Sequence, residues 1–216
     1  MKSIENIVVF KVTSEFFEEN GYIVHLEGKK EAVVFDPGSD VDHFLSYLSK
    51  KSLVVDAICL THAHPDHIAG VSGLKTAFPD AKISIGINEA AALIDPKLNL
   101  SALLGFEMVA PPADTTLKDG DYASFAHIEF NIQEIPGHSP GHIAYIAKDS
   151  KTHIFGGDIL FEGSIGRCDF PGGDFKKLVS GIKQKLLCLP PDSKVYPGHG
   201  STTTIGEEAQ NNPFLN

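Results

Sequence analysis

The chain has 216 residues, which is enough for one domain with its own hydrophobic core but a poor fit for two. Its net charge is −10 with histidine neutral, and Arg167 is the only arginine. This balance argues against a nucleic-acid partner, because phosphate contacts call for a basic face. No stretch approaches the ~20 uninterrupted apolar residues of a membrane-spanning helix, and residues 1–6 do not resemble a signal peptide. We therefore expect a cytoplasmic protein with neither a nucleic-acid nor a membrane partner.

The first half of the chain alternates short apolar runs with one or two amphipathic stretches. The alternation predicts a hairpin of two strands that turns at residues 27–30, and a mostly apolar run predicts a buried strand over 54–60. Apolar residues at helical spacing predict two helices. The predicted strands are residues 7–12, 22–26, 32–35 and 54–60, and the predicted helices are 41–53 and 68–78.

The second half repeats this style without repeating the sequence. Its pattern predicts one helix over 175–189 and four strands, at 128–135, 143–147, 152–155 and 195–196. Four of the predicted strands in the chain run into a tight turn that presents a histidine or an aspartate. Because rigid scaffolds place chemistry on loops at strand ends, these four turns are the candidate functional positions.

The first of these turns carries a dense run of metal-ligand residues. His62 and His64 are two residues apart, so on an extended segment they point the same way. Pro65 then bends the chain before Asp66 and His67. Imidazole and carboxylate suit zinc, iron or manganese. The alternative is a histidine-rich surface loop that binds metal adventitiously.

Three later turns extend the set to seven candidates, five histidines and two aspartates. His138, Asp158 and His199 each follow a predicted strand and lie beside a glycine, which lets the backbone approach a metal closely. Seven ligands suit two metals that share one carboxylate and a water. One metal would take His62, His64 and His138, the other would take Asp66, His67 and His199, and Asp158 would bridge them.

These motifs resemble those of the metallo-β-lactamase superfamily. Residues 61–67 match its HxHxDH signature, and His138, Asp158 and His199 fall in its order and spacing. The resemblance covers nearly the whole chain. It implies an α/β protein with an αββα four-layer sandwich, a single domain over 1–216, and two divalent metals at one edge of the paired sheets. Zinc is the first expectation, with iron or manganese as alternatives.

A closer resemblance is to the short glyoxalase II-like, or hydroxyacylglutathione hydrolase-like, branch. Residues 158–167, 171–174 and 203–215 look like that branch. The resemblance implies a metal-dependent hydrolase of S-hydroxyacyl thioesters, chiefly S-lactoylglutathione. Full-length glyoxalase II enzymes carry a C-terminal helical domain that holds much of the glutathione, and we expect it to be missing here. The small-molecule thioester is thus expected, while its thiol carrier and the oligomeric state stay open.

The resemblance also suggests a mechanism and roles for individual residues. A hydroxide that bridges the metals would attack the thioester carbonyl, and Asp66 would be both ligand and catalytic residue by orienting that nucleophile. Arg167 is a candidate to bind a substrate carboxylate, with a structural ion pair to Asp169 or Asp174 as the alternative. His142 is a candidate substrate contact, with a hydrogen bond behind the ligands as the alternative.

Other functions stay open on the same residues. A mononuclear iron persulfide dioxygenase shares the HxHxDH run, and the scaffold also suits a lactonase, a β-lactamase or a phosphodiesterase. A non-catalytic metal-binding module is a further alternative, although the complete ligand set speaks against it. Cys59, Cys168 and Cys188 are too few and too scattered for a disulfide framework, so we expect reduced thiols.

Overall fold

The computed structural model describes residues 6–216. The interpretation of the N-terminus as unlike a signal peptide falls mainly on residues 1–5, which lie outside the described residues. The strands are β1 Ile7–Thr13, β2 Asn20–Leu26, β3 Glu31–Phe35, β4 Val54–Cys59, β5 Lys82–Gly86, β6 Thr115–Leu117, β7 Tyr122–Phe125, β8 Ile128–Glu134, β9 Ile143–Lys148, β10 Thr152–Gly157, β11 Leu160–Phe161, β12 Ser164–Ile165, β13 Lys194–Pro197 and β14 Thr203–Thr204. The helices are α1 Val41–Lys51, α2 Pro65–Ile68, α3 Val71–Ala77, α4 Phe175–Gly181 and α5 Ile205–Asn211.

Two six-stranded sheets form the centre of the molecule. The first has the order β1-β2-β3-β4-β5-β6, antiparallel among β1 to β3 and parallel from β3 to β6. The second has the order β14-β13-β10-β9-β8-β7, with β10 and β13 as its one parallel pair. Strands β11 and β12 form a separate small hairpin.

The two sheets face each other across an aromatic core. Phe35 of the first sheet stacks on Phe155 of the second, with ring centroids 4.4 Å apart, and also contacts Phe130 and Tyr145. All four side chains are at most 1% exposed. Side chains alternate along each strand, so every second residue of β2 and β3 points into this layer.

The outer faces of both sheets are covered by helices. Ile23, Val34 and Ile58 pack with residues of α1 and α3, while Ile154 and Val195 pack with residues of α4 and α5. The resulting order is helices, sheet, sheet, helices. The predicted αββα four-layer sandwich is confirmed.

The helix predicted over residues 68–78 is wrong in its bounds. Helix α2 begins at Pro65, inside the histidine run, and is separated from α3 by a turn. The backbone N–H of Gly70 donates to the carbonyl of Pro37, 2.8 Å away, instead of continuing the helical ladder. Asp66 and His67 therefore lie on a helical turn, not on an extended segment.

Two other elements differ from the sequence pattern. The helix predicted over 175–189 is α4 followed by one turn of π-helix, Ile182–Leu186, whose buried residues continue the apolar face of α4. Residues 79–127 received no predicted element, yet they contain β5, β6, β7 and two short 3₁₀ turns, Ala90–Ile94 and Ser101–Leu104. These strands are short. Strands β5 and β6 pair with strands that are distant in sequence, whereas β7 pairs with the next strand, β8.

The helices of the described chain are short compared with a bilayer. The longest α-helix has 11 residues, and no helix within 6–216 combines the length and apolar character needed to cross a membrane.

A buried carboxylate ties two ligand-bearing turns together. Glu89 is 3% exposed and accepts hydrogen bonds from the Ser139 hydroxyl at 2.7 Å and the Gly141 N–H at 2.8 Å. It also accepts from the Ala63 N–H at 3.2 Å. The turn after β4 and the turn after β8 thus share one acceptor.

We predict that Glu89→Ala lowers the free energy of unfolding by about 3 kcal/mol, because buried donors lose a charged acceptor. Chemical denaturation followed by circular dichroism measures the loss. Glu134→Gln is the matched control, since that carboxylate accepts only exposed side-chain hydrogen bonds from Asn88, and its change should stay within about 0.5 kcal/mol. Equal losses in the two variants would contradict the role assigned to Glu89.

Candidate metal centre

Three histidines from two turns form a triangle of ring nitrogens. His62 Nε2, His64 Nδ1 and His138 Nε2 lie 2.9–3.2 Å from one another. A tetrahedral zinc site with metal–nitrogen bonds of about 2.0–2.1 Å has ligand–ligand edges of about 3.3 Å. The triangle therefore has the size of one face of such a tetrahedron.

A second group lies beside the first. His199 Nε2 is 3.2 Å from Asp66 Oδ2, and His67 Nε2 is 3.7 Å from the same oxygen. His199 lies in the turn after β13 and His67 lies in α2, 132 residues apart in sequence. Asp66, His67 and His199 together have ligand atoms close enough to hold one ion.

Asp158 lies between the two groups. Its Oδ2 is 3.4 Å from His138 Nε2 and 3.7 Å from His199 Nε2, while its Oδ1 is 3.4 Å from His67 Nε2. Oδ2 of Asp158 thus faces both groups of ligands, and Oδ1 faces the second group. This is the position that the sequence analysis expects of a bridging carboxylate. The structure brings all seven predicted residues together, and their role as ligands stays a prediction.

The charge states of His62, His64, His138 and Asp158 suit a cation. Burial lowers the pKa of His62 and His138, and it lowers the pKa of His64 to about 3, so these imidazoles are neutral near pH 7. Burial by itself raises the pKa of Asp158, but the neighbouring imidazoles of His67, His138 and His199 together outweigh burial and keep this pKa below its usual range. Neutral imidazoles and ionised carboxylates are the forms that bind metals.

Three buried atoms of the cluster residues have no hydrogen-bond partner within residues 6–216: His67 Nδ1, His67 Nε2 and Asp158 Oδ1. His67 Nε2 and Asp158 Oδ1 face each other at 3.4 Å. Buried polar atoms are almost always satisfied, and each exception calls for an explanation. A divalent metal between the groups would supply the missing partner, so the residues fit such an ion.

The second ring nitrogen of several histidines is held by the protein. His138 Nδ1 contacts the Arg167 carbonyl at 2.9 Å and His199 Nδ1 contacts the Glu18 carbonyl at 3.1 Å, so both rings turn Nε2 toward the cluster. His67 Nδ1 lies 3.2 Å from Asp36 Oδ2. Such contacts fix the ring orientation and the tautomer of metal-binding histidines.

Asp36 and Thr61 brace this arrangement from beneath. Asp36 accepts hydrogen bonds from the Thr61 N–H at 2.8 Å and from the Thr61 hydroxyl at 2.7 Å. Both side chains are buried. The carboxylate that faces His67 is therefore itself fixed by the turn that carries His62.

Glycine is required where the turns meet. Gly157 has φ +47°, and a β-carbon there would collide with the Thr61 hydroxyl. A β-carbon on Gly198 would collide with Asp158 Oδ1 and lie 2.6 Å from the His67 ring. The glycines beside Asp158 and His199 thus permit the close approach that the sequence analysis expects of them.

The two candidate substrate contacts differ in position. His142 is fully buried behind His62, with ring centroids 4.4 Å apart, and its Nε2 accepts from the Asp158 N–H at 3.1 Å. It does not line the cleft described below, so we assign it to positioning Asp158. Arg167 does line the cleft, but its guanidinium makes two 2.8 Å hydrogen bonds to Asp169, the ion pair considered as the alternative.

A cleft of about 400 Å³ opens above the cluster, which forms its floor. Cys168 lies outside the lining, and burial raises the pKa of its thiol, which argues against a reactive role. The lining consists of Phe17, His64, Pro65, Asp66, Leu100, Leu103, Leu104, His138, Asp158, Phe161, Ser164, Ile165, Arg167, Phe170 and His199.

Sequence reasoning missed two buried carboxylates and one side of the cleft. Glu89 lacks any local motif. Glu19 lies in a turn that carries no predicted ligand; it is fully buried, and neither of its carboxylate oxygens has a hydrogen-bond partner within residues 6–216. Burial raises the pKa of Glu19 well above its usual range. The leucines at 100, 103 and 104 come from the region without predicted elements. Only the three-dimensional contacts reveal these residues.

Comparison with known proteins places this geometry in a family. The model of the metallo-beta-lactamase superfamily matches residues 16–199. The hydroxyacylglutathione hydrolase GloC of Haemophilus influenzae is 36% identical over 98% of this chain and 98% of its own.

Two solved structures share the fold closely. The BLEG-1 B3 metallo-beta-lactamase is 37% identical to this chain, and the two structures superpose with a TM-score of 0.91. The match covers 96% of this chain and 99% of the BLEG-1 chain. TTHA1623, solved in a di-iron-bound form, is 36% identical, covers 95% of this chain with all of its own, and gives a TM-score of 0.80. The chain belongs to the metallo-beta-lactamase superfamily.

Proposed function

We propose that this metallo-hydrolase holds two divalent metals in its seven-residue cluster and cleaves a small-molecule thioester. The observation that carries the proposal is the pair of ligand groups that share Asp158 at the floor of the cleft. Open positions toward a cleft are typical of catalytic sites, whereas structural sites are closed.

The proposed metals are zinc first and iron second. Histidine and aspartate ligands accept both, and a relative 36% identical to this chain binds two irons. His62, His64 and His138 would hold one ion, and Asp66, His67 and His199 the other, with Asp158 between them.

Two metals in such a site supply a water that is ionised near neutral pH and a Lewis acid for a carbonyl oxygen. Asp66 is the more exposed of the two carboxylates, with 21% of its side chain accessible, and it lines the cleft. It can accept a hydrogen bond from an attacking water and so orient it. Among the lining residues Ser164 is the only hydroxyl or thiol, and its hydroxyl makes no hydrogen bond to a histidine or carboxylate of the described residues that could activate it. Water is therefore the proposed nucleophile.

The thioester is proposed on the strength of GloC, whose similarity extends over nearly the full length of both chains. The substrate would be S-lactoylglutathione or a related S-hydroxyacyl thiol. A β-lactam amide is the second candidate, because BLEG-1, named a B3 metallo-beta-lactamase, superposes with a TM-score of 0.91.

We predict that the metal-loaded protein releases thiol from S-lactoylglutathione and from S-lactoyl-N-acetylcysteamine. Asp158→Ala should lower kcat/KM by more than about 100-fold, because even residues behind metal ligands are worth 10–100-fold. Thiol release is followed with a chromogenic disulfide. Cys168→Ser is the control and should retain activity.

Two results would overturn the thioester proposal, and a third would overturn the proposal that water is the nucleophile. Cleavage of a β-lactam with no thioester cleavage would favour the second candidate. Oxygen uptake with a persulfide by a protein that binds one iron would favour the dioxygenase alternative. Loss of activity in Cys168→Ser, with the fold intact, would favour a thiol nucleophile.

We also predict that Asp36→Asn weakens metal affinity by 10–100-fold, because the amide no longer holds His67 as a carboxylate does. Competition with a chromophoric chelator measures the affinity. Asp56→Asn is the matched control, since Asp56 accepts a backbone hydrogen bond from Ala126 at 2.6 Å and lies outside the cluster. An unchanged affinity in Asp36→Asn would remove Asp36 from the metal centre.

A further inference from the structure

The cleft above the cluster has walls that are almost entirely apolar. Apart from the five cluster residues at its floor, its polar lining residues are Ser164 and Arg167. The other lining residues are Pro65 and seven large apolar side chains: Phe17, Leu100, Leu103, Leu104, Phe161, Ile165 and Phe170.

One wall of the cleft exposes two leucine side chains whose burial by a ligand would be energetically favourable. Leu103 and Leu104 are 65% and 54% exposed and lie on the 3₁₀ turn Ser101–Leu104. Isolated exposed leucines are ordinary, but here two adjacent ones line a cavity that opens onto a reactive centre. An apolar group in the cleft would remove them from water.

The leucine turn is braced rather than loose. The Asn99 side-chain amide donates to the Met108 carbonyl at 2.8 Å, and the Ser101 N–H donates to Asn99 Oδ1 at 3.0 Å. The Met108 N–H donates in turn to the Ser101 hydroxyl at 3.0 Å. The apolar wall is therefore largely formed before a ligand arrives, which lowers the entropic cost of binding.

The cleft has little to offer a charged group. Arg167 is the only lysine or arginine among the lining residues, and the Nε and Nη2 edge of its guanidinium is already paired with the Asp169 carboxylate. The same guanidinium lies 3.8 Å above the centre of the Phe170 ring. The chain as a whole carries a net charge of −10. A carboxylate-bearing group along these walls would lose water without gaining a free cation.

We infer that the cleft prefers a thioester whose thiol half is uncharged and apolar over the thioester of an anionic peptide such as glutathione. This inference rests on the proposed thioester hydrolysis and assigns the apolar walls to the leaving thiol. The floor of the cleft takes the small hydroxyacyl group. The specificity-determining residues are Leu103, Leu104 and the paired Arg167.

The test compares S-lactoyl thioesters of benzyl mercaptan, N-acetylcysteamine and glutathione, with identical acyl groups, on the metal-loaded protein. We expect kcat/KM to fall in that order. The benzyl thioester should exceed the glutathione thioester by about 10-fold or more, which is the discrimination that a single apolar pocket typically achieves. In the double variant Leu103→Ala, Leu104→Ala the ratio of kcat/KM for the benzyl thioester to that for the N-acetylcysteamine thioester should fall to about 1. Ile94→Ala removes an exposed apolar side chain outside the cleft and should leave the ratio unchanged.

A second variant tests the charge argument. Asp169→Asn frees the fork of Arg167, so it should raise kcat/KM for S-lactoylglutathione several-fold while the two neutral thioesters change little. Asp80→Asn is the control. It removes the same charge just before β5, outside the cleft lining, and should leave kcat/KM for all three thioesters unchanged.

The outcomes separate this inference from the proposed function. Cleavage of none of the three thioesters would overturn the proposed function. Cleavage with S-lactoylglutathione equal to or above the benzyl thioester would overturn the apolar-thiol inference and leave the hydrolase standing. A preference for the benzyl thioester that survives the double leucine variant would overturn the role of these leucines.

Discussion

The structure depends on bringing two carboxylates and five imidazoles into one largely buried cluster. Asp66 and Asp158 both lie within 3.7 Å of His67 Nε2, and burial disfavours their charged forms. The imidazole of His67 offsets part of the cost of burying the two carboxylates, but buried atoms of the cluster still have no hydrogen-bond partner within the described residues. Divalent cations would offset the rest, which is why we read the cluster as a metal centre.

The two sheets of the sandwich bring the ligand-bearing turns together at one edge. Strands of both sheets end at one edge, so ligands that are up to 137 residues apart in sequence meet there. The Ile143 N–H donates to the Thr61 carbonyl at 2.9 Å, and Tyr145 donates to the Leu60 carbonyl at 3.2 Å. These hydrogen bonds fix one sheet against the other just below the metal ligands. Glu89 adds a buried acceptor shared by two of the turns.

Sequence reasoning succeeded where the signal is local. Neighbouring residues determine the buried strand before Thr61 and the ligand-bearing turns, so the sequence could predict that the seven residues lie together. The four-layer sandwich followed from the resemblance to the metallo-β-lactamase superfamily. It failed where distant parts decide. The Gly70 N–H donates to the Pro37 carbonyl, and this long-range hydrogen bond ends α2. The hydrogen-bond partners of Glu89 lie 26 to 52 residues away in sequence. The leucine turn lacks periodicity, so its place in the cleft could not be foreseen.

The most direct test of the account is anomalous diffraction from crystals of the metal-loaded protein, measured at the absorption edge of the bound metal. The account predicts two peaks per chain, one among the nitrogens of His62, His64 and His138 and one among Asp66, His67 and His199, with Asp158 touching both. A single peak held by three of these residues, with the remainder unligated at full metal loading, would contradict the two-metal centre.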